Sequence, residues 1–132
     1  MIDVTLTFTV ILSIFMLILS VRILDLRGSP VTNFLYKPER KIDQQTLERA
    51  IRGHGNLVEY APLFLILMLV LELGGTSQHQ LYLSGVIFTV GRLIHGICFS
   101  FMRSNMVLRI GGMTLTFMGF IGLISCSIPI IF

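Results

Sequence analysis

The 132-residue sequence contains little charge, two cysteines and no tryptophan. Charged residues make up 13% of the chain and hydrophobic residues 54%, whereas soluble domains carry about 25% charged residues. So few charges could not cover the apolar side chains with polar surface in water, which argues against a soluble domain and against disorder. Two cysteines, Cys98 and Cys126, both in apolar runs, argue against a disulfide scaffold, and we interpret them as packed thiols.

Long apolar runs are abundant, and the mean hydropathy is +0.86. The sequence therefore predicts an all-α integral membrane four-helix bundle, with residues 1–132 as a single domain. The predicted spans cover approximately residues 4–24, 47–73, 80–102 and 108–131. The run from Val4 to Val21 contains no charge, and no small-residue cleavage pattern follows it. We therefore expect it to be a retained span and not a signal peptide.

Basic residues lie on one side of the predicted spans. The amino-terminus, the turn between spans two and three and the carboxy-terminus contain no Lys or Arg. Because Lys and Arg near span ends resist translocation, this pattern places the first and third loops in the cytoplasm and both termini in the periplasm. The net charge of +3 then reflects topology and contact with anionic lipids, and not a nucleic-acid surface. The loop residues that give this bias are Arg22, Arg27, Lys37, Arg40, Lys41, Arg49, Arg52, Arg103 and Arg109.

A polar face begins span two. The spacing of Arg52, Asn56 and Glu59 puts these residues on one helix face, with Tyr60 beside them and His54 roughly opposite. A carboxylate near hydrocarbon is costly, so Glu59 is expected to have a partner.

Span three contains a second polar stripe, formed by Arg92, His95, Phe99 and Arg103. Together with Arg109 at the start of span four, the two stripes predict a cationic, partly buried pocket that contains one carboxylate. Two structural alternatives are that Arg92 and Arg103 extend their side chains to the interface, and that Glu59 and Arg92 form an ion pair. No residue pattern suggests a metal site.

The pattern Arg-x-x-x-Asn-x-x-Glu-Tyr-x-Pro, from Arg52 to Pro62, resembles the membrane-associated proteins in eicosanoid and glutathione metabolism. The resemblance extends to chain length, the four-span layout, the Arg-x-x-His-x-x-x-aromatic run from Arg92 and the basic residue that opens span four. The His-Gly-Asn variant and the short loops are most similar to the bacterial inner-membrane branch of that family.

The resemblance implies a homotrimer in the bacterial inner membrane, with glutathione bound as co-substrate between subunits near the cytoplasmic side. Arg109 matches the family arginine that stabilises the thiolate, and Arg103 is the competing candidate for that role. Phe99 departs from the family pattern, because many members have a tyrosine there. The residues that the resemblance implies as glutathione contacts are Arg52, Asn56, Glu59, Tyr60, Arg92 and His95.

Two functional hypotheses follow from the resemblance. One is a glutathione-dependent transferase or peroxidase that acts on a hydrophobic small molecule arriving from the membrane lipids. The alternative is a noncatalytic lipid-binding or scaffold protein of the same fold. A small four-span exporter is disfavoured, because such exporters need a carboxylate in the first span and Val4 to Val21 contains none.

Overall fold

The computed structural model describes residues 1–32 and 43–132, and every regular element within these ranges is an α-helix. All four helices are long and apolar enough to cross a membrane, which confirms the predicted all-α membrane fold. Each begins slightly before the corresponding predicted span. Lys37, Arg40 and Lys41, part of the predicted basic loop, lie outside the described residues. The helices are α1 (Asp3–Leu26), α2 (Gln44–Leu73), α3 (Gln78–Phe101) and α4 (Met106–Ile131).

Short polar residues and glycine define the helix ends. The side chain of Asp43 accepts a hydrogen bond from the backbone N–H of Gln45, and that of Asn105 accepts one from Leu108, each at 3.2 Å. These caps satisfy donors that have no partner inside the helix. After α2, Gly75 has a φ of +81°, a conformation that glycine adopts without strain. The turn is therefore tight, and α2 and α3 lie antiparallel.

Helix α3 packs against the three other helices and lies at the centre of the bundle. Helix α3 approaches α4 most closely at glycine residues, which have no side chain. A Cβ at Gly91 would lie 2.8 Å from the carbonyl oxygen of Gly112, and a Cβ at Gly119 would lie 2.7 Å from Cβ of Phe88. Small residues let helix backbones approach in this way within a membrane.

The interior of the bundle contains an aromatic cluster between α2, α3 and α4. The rings of Phe64 and Phe88 stack with centroids 3.8 Å apart, and the ring of Phe120 meets each of them edge-on. In contrast, α4 buries only a narrow stripe and leaves large apolar side chains exposed elsewhere. Such exposed apolar faces suit contact with lipid or with another subunit. The buried stripe of α4 comprises Gly112, Thr116, Gly119 and Leu123.

The two ends of the bundle differ in charge. The ends of α1 and α3 and the starts of α2 and α4 lie together, and this end contains Arg22, Arg27, Arg49, Arg52, Arg103 and Arg109. At the opposite end the carboxylate of Glu72 accepts hydrogen bonds from the backbone N–H groups of Val4 and Thr5, both at 2.8 Å. This contact joins the end of α2 to the start of α1.

A cavity at the basic end of the bundle

A cavity of about 550 Å³ opens at the basic end, between α2, α3 and α4. This volume is within the range of about 300–1,000 Å³ that is usual for small-molecule sites. Polar and charged side chains from all three helices form its wall together with a few apolar residues. The lining residues are Ile51, Arg52, Gly55, Asn56, Glu59, His95, Phe99, Arg109 and Met113.

Five of the candidate site residues line this cavity: Arg52, Asn56, Glu59, His95 and Arg109. The helical spacing in α2 explains the first three, since residues three and four positions apart share a face. Within the cavity wall, Arg52 and Arg109 are basic and Glu59 is the acidic residue. All three side chains are exposed to the open side of the bundle. The cavity therefore offers guanidinium groups and one carboxylate to a ligand of mixed charge.

Arg92, another candidate, lies behind the wall of the cavity, with only 1% of the residue exposed. Its Nε donates a hydrogen bond to Oγ1 of Thr116 at 2.8 Å, and its Nη1 donates one to Oδ1 of Asn56. A third nitrogen, Nη2, approaches the sulfur of Met113 at 3.2 Å. The guanidinium also lies 5.2 Å from the ring centroid of Tyr60. Arg92 therefore supports the cavity wall from inside the bundle.

The ion pair between Glu59 and Arg92, considered as an alternative from the sequence, is absent from the described part of the chain. The ion pair found within residues 1–32 and 43–132 joins Arg22 to Asp25 at 3.2 Å. The reason is directional: Arg92 points toward Thr116 and Asn56, whereas Glu59 lies at the exposed rim. The carboxylate of Glu59 is thus open to a ligand or to another subunit.

The ring of Phe99 lies among basic side chains. The His95 ring stacks on it, with centroids 4.7 Å apart. The guanidinium of Arg109 lies 5.5 Å from the Phe99 centroid and that of Arg49 lies 5.8 Å away. From the sequence, Phe99 stands out as a residue without the hydroxyl of the family tyrosine, and Arg49 is not predicted as a site residue. The periodicity of α3 puts Phe99 on the stripe but gives no indication of which cations reach the ring.

Besides Arg92 and Tyr60, two further residues considered from the sequence do not line this cavity. Arg103 is exposed in the connection between α3 and α4. His54 faces α1, where its Nε2 lies 3.0 Å from Oγ of Ser20. This position agrees with the expectation that His54 points away from the polar face of α2.

Tyr60 contributes to a neighbouring apolar groove of about 590 Å³ between α2 and α4. Glu59 lines both the groove and the polar cavity, so the two spaces adjoin at this carboxylate. The groove lies within the apolar part of the helices. Its other lining residues are Leu63, Phe117, Phe120, Ile121 and Ile124.

These features define a class of small membrane protein: a four-helix bundle with a basic cavity at one end and an apolar groove beside it. The model of the MAPEG family matches residues 5–128. The chain therefore belongs to the MAPEG family.

Two curated relatives are both named inner membrane protein YecN, one from Escherichia coli strain K12 and one from E. coli O6:H1 strain CFT073. Each is 43% identical to this chain over 49 residues, which represent 37% of this chain and 37% of the relative. The matched segment is thus well under two thirds of the length of either relative. No solved structure matches the chain significantly. The four apolar helices and these relatives together support an integral protein of the inner membrane.

Proposed function

We propose that the protein is a glutathione-dependent membrane transferase or peroxidase that acts on hydrophobic electrophiles. The observation that carries this proposal is the cavity in which Arg52, Asn56 and Arg109 lie with the single carboxylate of Glu59. Glutathione has two carboxylates, one ammonium and one thiol. A site for it needs fixed cationic or neutral donors and one fixed acid, and this cavity contains both.

Each side chain has a distinct role in the proposal. Arg52 binds a carboxylate of the tripeptide, since a planar guanidinium matches a carboxylate in bidentate geometry. Glu59 binds the ammonium. Arg109 stabilises the thiolate, because a nearby positive charge favours the anionic sulfur, which is the nucleophile. Its place in the cavity wall, in contrast to that of Arg103, supports the choice of Arg109.

The apolar groove gives the second substrate a route to the sulfur. A hydrophobic electrophile enters it from the lipid and reaches the polar cavity at Glu59, where the groove and the cavity adjoin. Tyr60 lies at this junction. With a carbon electrophile the thiolate forms a C–S bond, and the leaving group departs with the electron pair of the broken bond. With a hydroperoxide the thiolate bonds to one oxygen, the O–O bond breaks and the alkoxide departs with its electron pair; a second glutathione then converts the sulfenic acid to glutathione disulfide and water.

The proposal includes a homotrimer in which glutathione binds between subunits, near the cytoplasmic face, with both termini in the periplasm. Support comes from the exposed Arg52 and Glu59 at the cavity rim and from the extensive apolar surface of α4. Exposed charges beside lipid are costly, so a neighbouring subunit would cover them. Native mass spectrometry should show three copies, and reporter fusions at the carboxy-terminus should behave as periplasmic. A stable monomer would contradict a shared site.

The experiment that tests the function uses purified protein in detergent. Calorimetry measures glutathione affinity, ultraviolet absorbance measures the thiolate, and an aryl halide serves as a generic electrophile. Glu59→Gln should weaken binding by about 1.5–3 kcal/mol, the scale of a hydrogen bond to a charged group. Arg109→Ala should preserve most of the binding and raise the pKa of the bound thiol.

Arg103→Ala is the matched control, since this arginine is exposed and does not line the cavity. It should leave the thiolate titration unchanged. A shift with Arg103→Ala, and none with Arg109→Ala, would assign the thiolate role to Arg103. If the wild-type protein binds no glutathione, the noncatalytic lipid-binding alternative replaces the enzyme.

A further inference from the structure

Nitrogen-bearing side chains from three helices lie around the aromatic ring of Phe99. Arg49 comes from α2, His95 from α3 and Arg109 from α4. The two guanidinium carbons lie 5.8 Å and 5.5 Å from the ring centroid, and the imidazole stacks on the ring at 4.7 Å. These distances are within the usual limit of about 6 Å for a cation over an aromatic face.

The ring is held firmly in its position. A Cβ added at Gly53 of α2 would lie 2.9 Å from Cβ of Phe99, so the backbone of α2 already lies against the base of the Phe99 side chain. The stacked His95 restricts the ring from a second direction. Phe99 therefore presents a fixed surface, and the flexible partners in the cluster are the two arginines.

The two arginines differ in what else restrains them. Arg49 also donates a hydrogen bond from Nη2 to the backbone carbonyl of Cys98 at 3.0 Å. Within residues 1–32 and 43–132 the guanidinium of Arg109 makes no hydrogen bond and no ion pair; it lies over the Phe99 ring and close enough to His95 to interact with it electrostatically. The attractive contact described for the charge of Arg109 is thus the one with the Phe99 ring.

We infer that Phe99 is a positioning residue whose ring face holds the guanidinium of Arg109 at the cavity wall by a cation–π interaction. The inference rests on the proposed function, because it assigns this charge to the stabilisation of a bound thiolate. It also gives Phe99 a role that needs an aromatic ring and no hydroxyl. Arg49, with its second anchor at Cys98, serves as an internal reference on the same ring.

The test replaces Phe99 with phenylalanines that have one, two or three ring fluorines. Fluorine weakens the negative potential of the ring face and largely preserves its shape, so packing against Gly53 is retained. The thiolate absorbance of bound glutathione should titrate at progressively higher pH as fluorines are added. Phe99→Leu should give a larger shift, and Phe99→Tyr should restore the wild-type titration because it keeps the ring.

The same fluorinated series at Phe101 is the matched control. Phe101 has its own cation–π contact, with the Arg22 guanidinium 5.4 Å from the ring centroid, and it does not line the cavity. Fluorination there should leave the thiolate titration unchanged. A titration that moves equally with both series, or with neither, overturns the inference.

A second measurement needs no glutathione. In protein labelled with ¹⁵N at arginine, the Nε–H resonance of Arg109, assigned from its absence in Arg109→Lys, reports the mobility of the side chain through its ¹⁵N relaxation. Phe99→Leu should increase the motion of the Arg109 Nε–H, and Arg49 should change less because its bond to the Cys98 carbonyl remains. Unchanged mobility of Arg109 in Phe99→Leu overturns the positioning role. Increased Arg109 mobility in a protein that binds no glutathione supports the positioning role and rejects the proposed function.

Discussion

Arg92 donates a hydrogen bond from Nη1 to Oδ1 of Asn56, joining the middle of α3 to the polar face of α2. A guanidinium has only donors, so the atom of Asn56 that faces it is the amide oxygen. The amide nitrogen of Asn56 is then directed away from Arg92. Because Asn56 also lines the cavity, it offers a ligand a donor, and the matching ligand group is an acceptor such as a carboxylate.

The Asn56→Asp variant tests whether the amide nitrogen of Asn56 donates to a ligand. The aspartate would keep the contact with Arg92 and replace the amide donor with an oxygen that repels an anionic ligand. We expect glutathione affinity to fall by about 1.5–3 kcal/mol and the thermal stability in detergent to remain near that of wild type. Calorimetry and a thermal unfolding assay measure the two quantities. Wild-type affinity in Asn56→Asp would show that the amide nitrogen does not contact the ligand.

Thr116→Val removes the acceptor that Arg92 Nε uses at 2.8 Å. Both residues are buried, so the change leaves a buried charged donor without its partner. We expect a loss of about 1–3 kcal/mol in the free energy of unfolding. The control is Thr114→Val, since Thr114 is exposed on the same helix and bonds to the Ile110 carbonyl of its own helix. Equal unfolding free energies for the two variants would contradict a structural role for the Arg92–Thr116 bond.

Glu72→Gln tests the contact between the end of α2 and the start of α1. The carboxylate accepts from two backbone N–H groups, one at each oxygen, whereas a glutamine amide has one acceptor oxygen. A negative charge also favours a helix N-terminus. We expect destabilisation of about 1–3 kcal/mol, measured by unfolding in detergent. Asp3→Asn removes an exposed charge from the first turn of α1 without removing these backbone bonds. It should therefore cost less than Glu72→Gln, and an equal loss in that control would attribute the result to charge alone.

The start of α2 should respond to pH through Asp43. The hydrogen bond from the Thr46 side chain, followed by that from the Gln45 N–H, lowers the pKa of the Asp43 carboxyl. The folded state therefore favours the charged form. The stabilisation is present above the ordinary Asp pKa and is lost as the pH falls through the lower folded value. As the pH falls through this range, the Gln45 amide of the wild-type protein should lose its protection from hydrogen exchange. Asp43→Ala lacks the bond at every pH, so the protection of its Gln45 amide should show no such step.

Much of the fold follows from the sequence because apolar runs of span length leave few alternatives in a membrane. The four helices are confirmed, and the helical repeat correctly groups Arg52, Asn56 and Glu59 on one wall. The helical repeat determines which residues share a face of one helix, but not which residues of a neighbouring helix they contact. The sequence pattern is therefore compatible with a pair between Arg92 and Glu59, whereas in the structure Arg92 bonds to Asn56 and Thr116.

Other contacts could not be predicted from the sequence for a similar reason. The bond from Val4 to Glu72 connects residues 68 positions apart, and no local pattern indicates such a distance. The cluster on Phe99 depends on how closely α2 and α4 approach α3, which the glycines allow but do not specify. The trimer, the bound glutathione and the orientation of the termini stay predictions.

The cap that Glu72 provides for α1 also constrains the order of assembly during synthesis. The first span leaves the ribosome well before Glu72, so its leading amides meet their carboxylate only after α2 has been made. The contact between the two spans is therefore a late event of synthesis, and a ribosome stalled before Glu72 emerges should leave the first amides of α1 without this acceptor.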